Sequence, residues 1–179
     1  MASVNDANPA NRVVVLMGVS GSGKSAVARA VAAALDAAML DGDFLHPRAN
    51  VEKMARGEPL DDEDRRPWLA ALNDAAFAMA RTNRLSLIVC SALKRRYRDR
   101  LREGNPGLSF VFLNADLEVI AARLSARSGH FFKPEMLKSQ FEALEVPGPD
   151  EPDVITVNVE RSLPEVVAAV TSLLDNPEA

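Results

Sequence analysis

The chain reads as an α/β protein of three layers, a five-stranded parallel sheet with helices on both faces. Short apolar runs rich in β-branched and aromatic residues recur at Val13–Met17, Ala38–Asp41, Leu85–Cys90, Leu108–Leu113 and Val154–Val157. Stretches of helical period lie between them, and strands separated by helices pair in parallel because each connection must cross over the sheet. The first run leads straight into Gly18-Val19-Ser20-Gly21-Ser22-Gly23-Lys24-Ser25 and then the alanine-rich stretch Ala26–Leu35, so a strand, a glycine loop and a helix N-terminus follow one another. At 179 residues, 47% apolar and 26% charged, the chain fits one domain over residues 13–179 behind a polar, flexible segment 1–12.

The glycine loop carries the most information. Four free positions separate its first glycine from Gly-Lys-Ser, the spacing of a phosphate-binding loop. Glycines let successive N–H groups turn inward around a phosphate, and the positive end of the following helix adds attraction. Lys24 is then placed to reach the β- and γ-phosphates of a nucleoside triphosphate, and the Ser25 hydroxyl to face a Mg²⁺ that bridges them.

The second run ends in Asp41-Gly42-Asp43, two carboxylates that face one side if the backbone stays extended. One can hold Mg²⁺ through water and the other can accept the proton of an attacking hydroxyl; a plain Asp/Gly surface turn is the alternative. His46-Pro47 follows, with Pro47 at the start of a helix carrying Asn50, Val51, Met54 and Ala55. His46 is either a donor to a substrate hydroxyl or a local cap. Pro59 to Leu69 form an acidic helix entry, explained by capping and the helix dipole, in which Arg65 is suited to gripping a carboxylate. Trp68 reads as core.

The third run leads into Ser91-Ala92-Leu93-Lys94 and the most basic stretch, Arg95 to Arg102. Ser91 and Lys94 are candidates for a substrate anion site. The remainder is either an RNA-binding helix or a solvated amphipathic one, and the solvated reading suits Arg96, Arg100 and Arg102 better. After the fourth run, Leu117, Ile120, Ala121 and Leu124 form one buried helical stripe while Arg123 and Arg127 share another face. Ser128 to Pro134 then make a flexible excursion containing His130. A kinase must shield its triphosphate from water, so residues 123–140 are expected to form a mobile lid whose arginines approach the transferring phosphoryl. The last helix opens with Ser162-Leu163-Pro164-Glu165, a cap, a first-turn proline and a glutamate able to reach back.

Composition excludes several classes. The net charge of −4 and isoelectric point near 5.3 provide no basic field for nucleic acid or an anionic membrane. The single Cys90 cannot form an internal disulfide and reads as buried filler. No apolar run approaches bilayer length and the first residues lack a secretory signal, so a soluble, cytoplasmic protein is expected. No guanine-reading Asn-Lys-x-Asp segment is present.

These segments together resemble the gluconokinase family of small phosphate-loop kinases. The resemblance runs from about Val14 to Val157. Its marks are Met17 to Ser25, Asp41-Gly42-Asp43 with His46-Pro47, Asn50 with Lys53-Met54 and Gly57, and Pro59-Leu60 with Asp64-Arg65 and Pro67-Trp68-Leu69. Further marks are Cys90 to Lys94, Tyr97-Arg98-Asp99, Arg123, Arg127, His130-Phe131, Ser139-Gln140-Phe141 and Leu144-Glu145. The resemblance implies the three-layer fold of a P-loop kinase with a mobile lid, usually a homodimer, which phosphorylates D-gluconate at its 6-hydroxyl with ATP and Mg²⁺ and feeds the pentose phosphate or Entner–Doudoroff routes. It further implies that Gly18 to Ser25 hold ATP, Asp41 assists the metal and Asp43 deprotonates the hydroxyl. By the same resemblance His46, Arg65, Ser91 and Lys94 line the gluconate pocket, and Arg123 and Arg127 serve the nucleotide. A kinase of another small acid such as shikimate, or an RNA-associated nucleotide switch, are the other readings.

Overall fold

Every side chain of the first strand from Val13 onward is buried, alternating between two separate apolar clusters. That is possible only for a strand in the middle of a sheet covered on both faces. The computed structural model describes residues 10–126 and 134–175, and in it five parallel strands run β1 (Arg12–Met17), β2 (Ala38–Asp41), β3 (Leu85–Val89), β4 (Leu108–Asn114) and β5 (Val154–Asn158), in spatial order β2-β3-β1-β4-β5. The strands lie within one residue of the five apolar runs. Arg12, expected in the N-terminal segment, instead opens β1 and pairs with Leu85.

The described helices are α1 (Lys24–Leu35), α2 (Arg48–Ala55), α3 (Asp62–Thr82), α4 (Arg95–Arg102), α5 (Leu117–Ala126), α6 (Pro134–Ala143) and α7 (Leu163–Asp175). One cluster joins Val14, Leu16, Leu87 and Val111 to Val27 and Val31 of α1, Ile120 of α5, Leu137 of α6 and Val166 and Val170 of α7. The other joins Val13, Val15, Met17, Ile88, Phe110 and Phe112 to Trp68, Leu69 and Leu72 of α3 and Tyr97 and Leu101 of α4. Period-2 alternation along the central strands thus meets period-3.6 stripes on both sides. The stripe expected on α5 is present, with Ile120 fully buried and Leu117, Ala121 and Leu124 packed beside it.

Local chemistry sets the helix ends. Asp61 caps α3 in a reciprocal box: its side chain accepts the Asp64 N–H at 2.8 Å, and the Asp64 carboxylate accepts the Asp61 N–H at 2.9 Å. Glu165 reaches back to the Ser162 N–H and hydroxyl, as expected.

Arg96 is exposed and Arg100 partly so, as expected, but other arginines of the basic stretch turn inward. Arg98 is only 1% exposed, and all five of its N–H groups are engaged. Nε and Nη2 fork onto Glu151 at 2.8 and 2.5 Å, Nη1 donates to Ala92 and Leu93 carbonyls at 3.0 and 3.1 Å, and Nη2 also reaches the Glu145 carbonyl at 3.0 Å. Arg102, expected in solvent, pairs with both Glu151 and Asp153. Arg95 and Arg96 pair with Asp150 and Asp62. Arg98 and Arg102 are therefore an inward clamp matched by acids far along the chain, and Arg95 and Arg96 at the surface are also ion-paired, which weakens the RNA-binding reading.

Because Arg98 is desolvated, removing its counter-charge leaves a buried cation alone. Glu151→Ala is expected to cost about 3–5 kcal/mol of unfolding free energy in urea; a loss under 1 kcal/mol would contradict the clamp. The two arginines hold the Glu151 carboxyl down to about 2 from an ordinary 4.5. The folded state thus binds this proton less readily than the unfolded chain, so the pair's contribution is complete above pH 4.5 and fades as pH falls toward 2.

Candidate active site

With β1 central, the chain first steps to β2 on one side and later to β4 on the other, so the loop after β1 sits where the connections diverge, the usual ligand position of an open parallel sheet. There is no room for a side chain where that loop begins. Gly18 has φ +144°, and a Cβ on it would stand 2.7 Å from the Leu113 carbonyl oxygen, while its N–H donates to the Ser91 carbonyl at 3.2 Å. The loop after β1 is thereby held against both the loop after β3 and the end of β4.

Helix α1 starts at Lys24 with no side-chain cap on its N-terminus and no acid in its first turn, unlike α3. Its first N–H groups and positive dipole end thus meet the cleft without a competing carboxylate. Lys24 Nζ donates to the Gly18 and Val19 carbonyls, both at 2.9 Å. Burial lowers its pKa to about 8, against the opposing charges of Asp43 and Asp41. Ser25 Oγ donates to Asp41 Oδ2 at 3.2 Å. Among the described residues no three His, Cys, Asp or Glu side chains converge as a metal cage. The Ser25–Asp41 pair beside Lys24 suits a cation that keeps most of its ligands from water and phosphate.

Asp41 and Asp43 are not related by an extended backbone. Gly42–Leu45 form a 3-10 helix, and Asp41 Oδ1 caps it by accepting the Asp43 N–H at 3.1 Å. The sharp exit follows from crowding: a Cβ on Gly42 would lie 2.5 Å from the Val89 carbonyl oxygen. The two carboxylates consequently divide, Asp41 toward Ser25 and Asp43, solvent-exposed, on the wall of the cleft.

That cleft, about 780 Å³, brings together Ser20, Lys24, Ser25, Asp43, His46, Arg65, Trp68 and Ser91, with Glu135, Met136, Ser139 and Gln140 of α6. The His46 ring stacks on Trp68 at 4.3 Å and 12°. Trp68 Nε1 donates to the Gly42 carbonyl at 2.8 Å, so this buried tryptophan is core and also the backing of the site. Asn50 Nδ2 lies 3.3 Å from His46 Nδ1 and 2.8 Å from the Asp64 carbonyl oxygen. Since the amide nitrogen can only donate, Nδ1 accepts and the neutral ring carries its proton on Nε2. Arg65 donates to the Leu60 carbonyl, which orients its guanidinium. Lys94 sits at the N-terminus of α4, off the lining of the cleft, its ammonium 3.3 Å from Asp62.

A second cavity of about 400 Å³ opens on the other side of the phosphate loop, between Gly21, Ser22 and Gly23, Arg123 of α5, and the Val159 to Leu163 segment after β5. Arg123 donates to the Arg161 carbonyl at 3.0 Å. Sequence reasoning found Arg123 but not Arg161, which carries no motif; its one signal was the position of the Asn158 loop at the carboxyl edge. Arg127 and His130 lie outside the described residues.

Fold and loop together define a P-loop kinase of the three-layer α/β class. A family model described as an AAA domain matches residues 13–147. The thermoresistant gluconokinase of Escherichia coli (strain K12) is 64% identical over 167 residues, which cover 93% of this chain and 95% of that protein. The crystal structure of a gluconokinase from Sinorhizobium meliloti 1021 superposes with a TM-score of 0.78 at 40% identity, covering 96% of this chain and 100% of that one. A shikimate kinase from Bacteroides thetaiotaomicron, covering 92% of this chain and 99% of its own, has a TM-score of 0.63 at 18% identity and shares the fold alone. The chain belongs to the gluconokinase family.

His46 provides a check on the site's electrostatics. Burial lowers its pKa below the ordinary 6.5, with Arg65 pushing the same way and Asp43 opposing. The unfolded chain takes up this proton first, so acidification below pH 6.5 costs stability, whereas above it the residue is neutral in both states. Titration followed by NMR is expected to give a midpoint under 6.5, lower still in Asp43→Asn and higher in Arg65→Met; the opposite order would show that other charges govern the ring.

Proposed function

We propose that this protein transfers the γ-phosphoryl group of ATP to the 6-hydroxyl of D-gluconate, giving 6-phospho-D-gluconate and ADP. The observation that carries the reading is the meeting, in one cleft, of the phosphate loop with a carboxylate, Asp43, that is free of ion pairing among the described residues and faces a pocket of hydrogen-bonding groups. The names of the relatives, gluconokinases at high identity over nearly their whole length, supply the acceptor. They favour gluconate over shikimate, whose kinase is similar only in fold.

In this reading residues 13–179 act as one domain with a lid over roughly 123–140. The loop Gly18 to Ser25 holds the triphosphate, through N–H groups other than those of Gly18, Ser20 and Ser22, which bond to Ser91, Gln140 and Val19. Lys24 neutralises the oxygens of the transferring group in both ground and transition states. Ser25, with Asp41 behind it, holds Mg²⁺, which screens the phosphate charge when bound. Asp43 takes the proton of the attacking hydroxyl while that oxygen bonds to phosphorus and the bond to the ADP oxygen breaks. The His46 Nε2–H donates to a sugar hydroxyl, Ser91 adds a further polar contact, and Arg65 pairs with the carboxylate. Lys94 would have to leave Asp62 to join them. The base of the nucleotide occupies the cavity between Arg123 and the Arg161 segment, and Arg127 completes the charge clamp from the lid. Among the described residues no helix is long and apolar enough to cross a membrane; a cytoplasmic homodimer feeding the pentose phosphate route is part of the proposal.

Release of ADP across a panel of sugar acids and shikimate tests the acceptor. Turnover that depends on gluconate is expected, and turnover on another acid with none on gluconate would overturn the assignment. Asp43→Asn is expected to lower kcat by about 10²–10⁴-fold with the ATP KM nearly unchanged, which a loss of base produces and a loss of nucleotide binding does not. Lys24→Ala should instead damage both kcat and the ATP KM, because its charge serves bound substrate and transition state alike.

A further inference from the structure

Gln140 of α6 makes a two-pronged contact with one residue of the phosphate loop. Its Oε1 accepts the Ser20 N–H at 2.7 Å and its Nε2 donates to Ser20 Oγ at 3.0 Å. The amide orientation is unambiguous, since a backbone N–H can only donate and must face the carbonyl oxygen. No other side chain of the described residues donates to or accepts from the loop between Val19 and Gly23 across such a sequence separation.

The helix that carries Gln140 also carries Glu135, Met136 and Ser139, which line the large cleft together with Asp43 and His46. Positions 135, 136, 139 and 140 share one face of a helix, while Leu137 on the other face is 2% exposed and anchored in the core. Donor loop and acceptor wall are thus joined through α6, the end of the proposed lid, by one two-pronged polar contact. Turning toward Gln140, the Ser20 amide serves as a joint between two elements.

We propose that Gln140 is a positioning residue of the kinase, fastening α6 to Ser20 so that the acceptor wall and the phosphoryl donor keep a fixed relation. The proposal rests on the kinase reading above. Misplacement of reacting groups by about 1 Å costs as much as 100-fold in rate, so loosening this joint acts on kcat rather than on the separate affinity for ATP. Gln140 itself touches neither reacting group in this role.

The test pairs kinetics with hydrogen exchange on the full chain. Gln140→Ala is expected to lower kcat/KM for gluconate about 10-fold and Ser20→Ala, which keeps the N–H but loses the hydroxyl, about 3-fold, with the double variant no worse than Gln140→Ala, the signature of one shared contact. Multiplied losses in the double variant, or an ATP KM that rises in step with the loss, would overturn the proposal. In the ligand-free protein, the Ser20 amide should exchange about 10-fold faster in Gln140→Ala while the β1 amides stay protected. Unchanged exchange at Ser20 would likewise overturn it. The exchange readout needs no acceptor, so a wild-type enzyme inactive on gluconate would refute the assigned substrate while the joint is still tested.

Discussion

The placement of Gly18 between two carbonyl oxygens is the constraint on which the rest of the molecule depends. Its N–H binds the Ser91 carbonyl after β3, and its α-carbon passes so close to the Leu113 carbonyl of β4 that a methyl group would be 2.7 Å away. Parallel pairing of β1 with both neighbours forces this approach, and the loop then has to rise out of the sheet edge before α1 can begin. Lys24, Ser25 and the uncapped helix end owe their positions to it.

A second tier of order comes from charge. The loop after β3 contains Ala92 at φ +45°, a left-handed conformation that a side chain disfavours. Arg98 stabilises it by donating to the carbonyls of Ala92 and Leu93 while Glu151 neutralises the guanidinium. Ser91 reaches the cleft because that loop cannot relax. Asp62 plays a related part nearer the surface, gathering Tyr97, Lys94 and Arg96, and these hydrogen bonds hold its carboxyl well below the usual range. The basic stretch is thereby largely matched by the protein's own acids.

The cleft itself combines groups whose environments differ. Cys90 is buried and Lys24 half-buried; desolvation lowers the lysine toward 8 and raises the thiol to about 12, so the cysteine stays an uncharged wall and the lysine carries a cation that it is costly to leave without anionic company. Asp43 stands in solvent at the edge. His46, stacked on Trp68 and accepting from Asn50, is held neutral with its Nε2 proton available. These are the conditions under which a polyol is oriented by neutral donors and its hydroxyl proton is taken by a carboxylate.

Local pattern determined much of this from the sequence alone. The five strands, the phosphate loop, the caps of α3 and α7 and the placing of Asp41, Asp43, His46, Arg65 and Ser91 at strand or helix ends rest on periodicity and turn chemistry, which are short-range. Other features depended on contacts between residues far apart in the chain: the strand order, the 3-10 exit at Gly42 set by Val89, the Arg98–Glu151 clamp across 53 residues and the Gln140–Ser20 joint across 120. An arginine on a polar helix has the same local signature whether it meets water or a buried glutamate. Only the folded chain, by excluding solvent from one face of α4 and bringing α6 onto the loop, decided which it was.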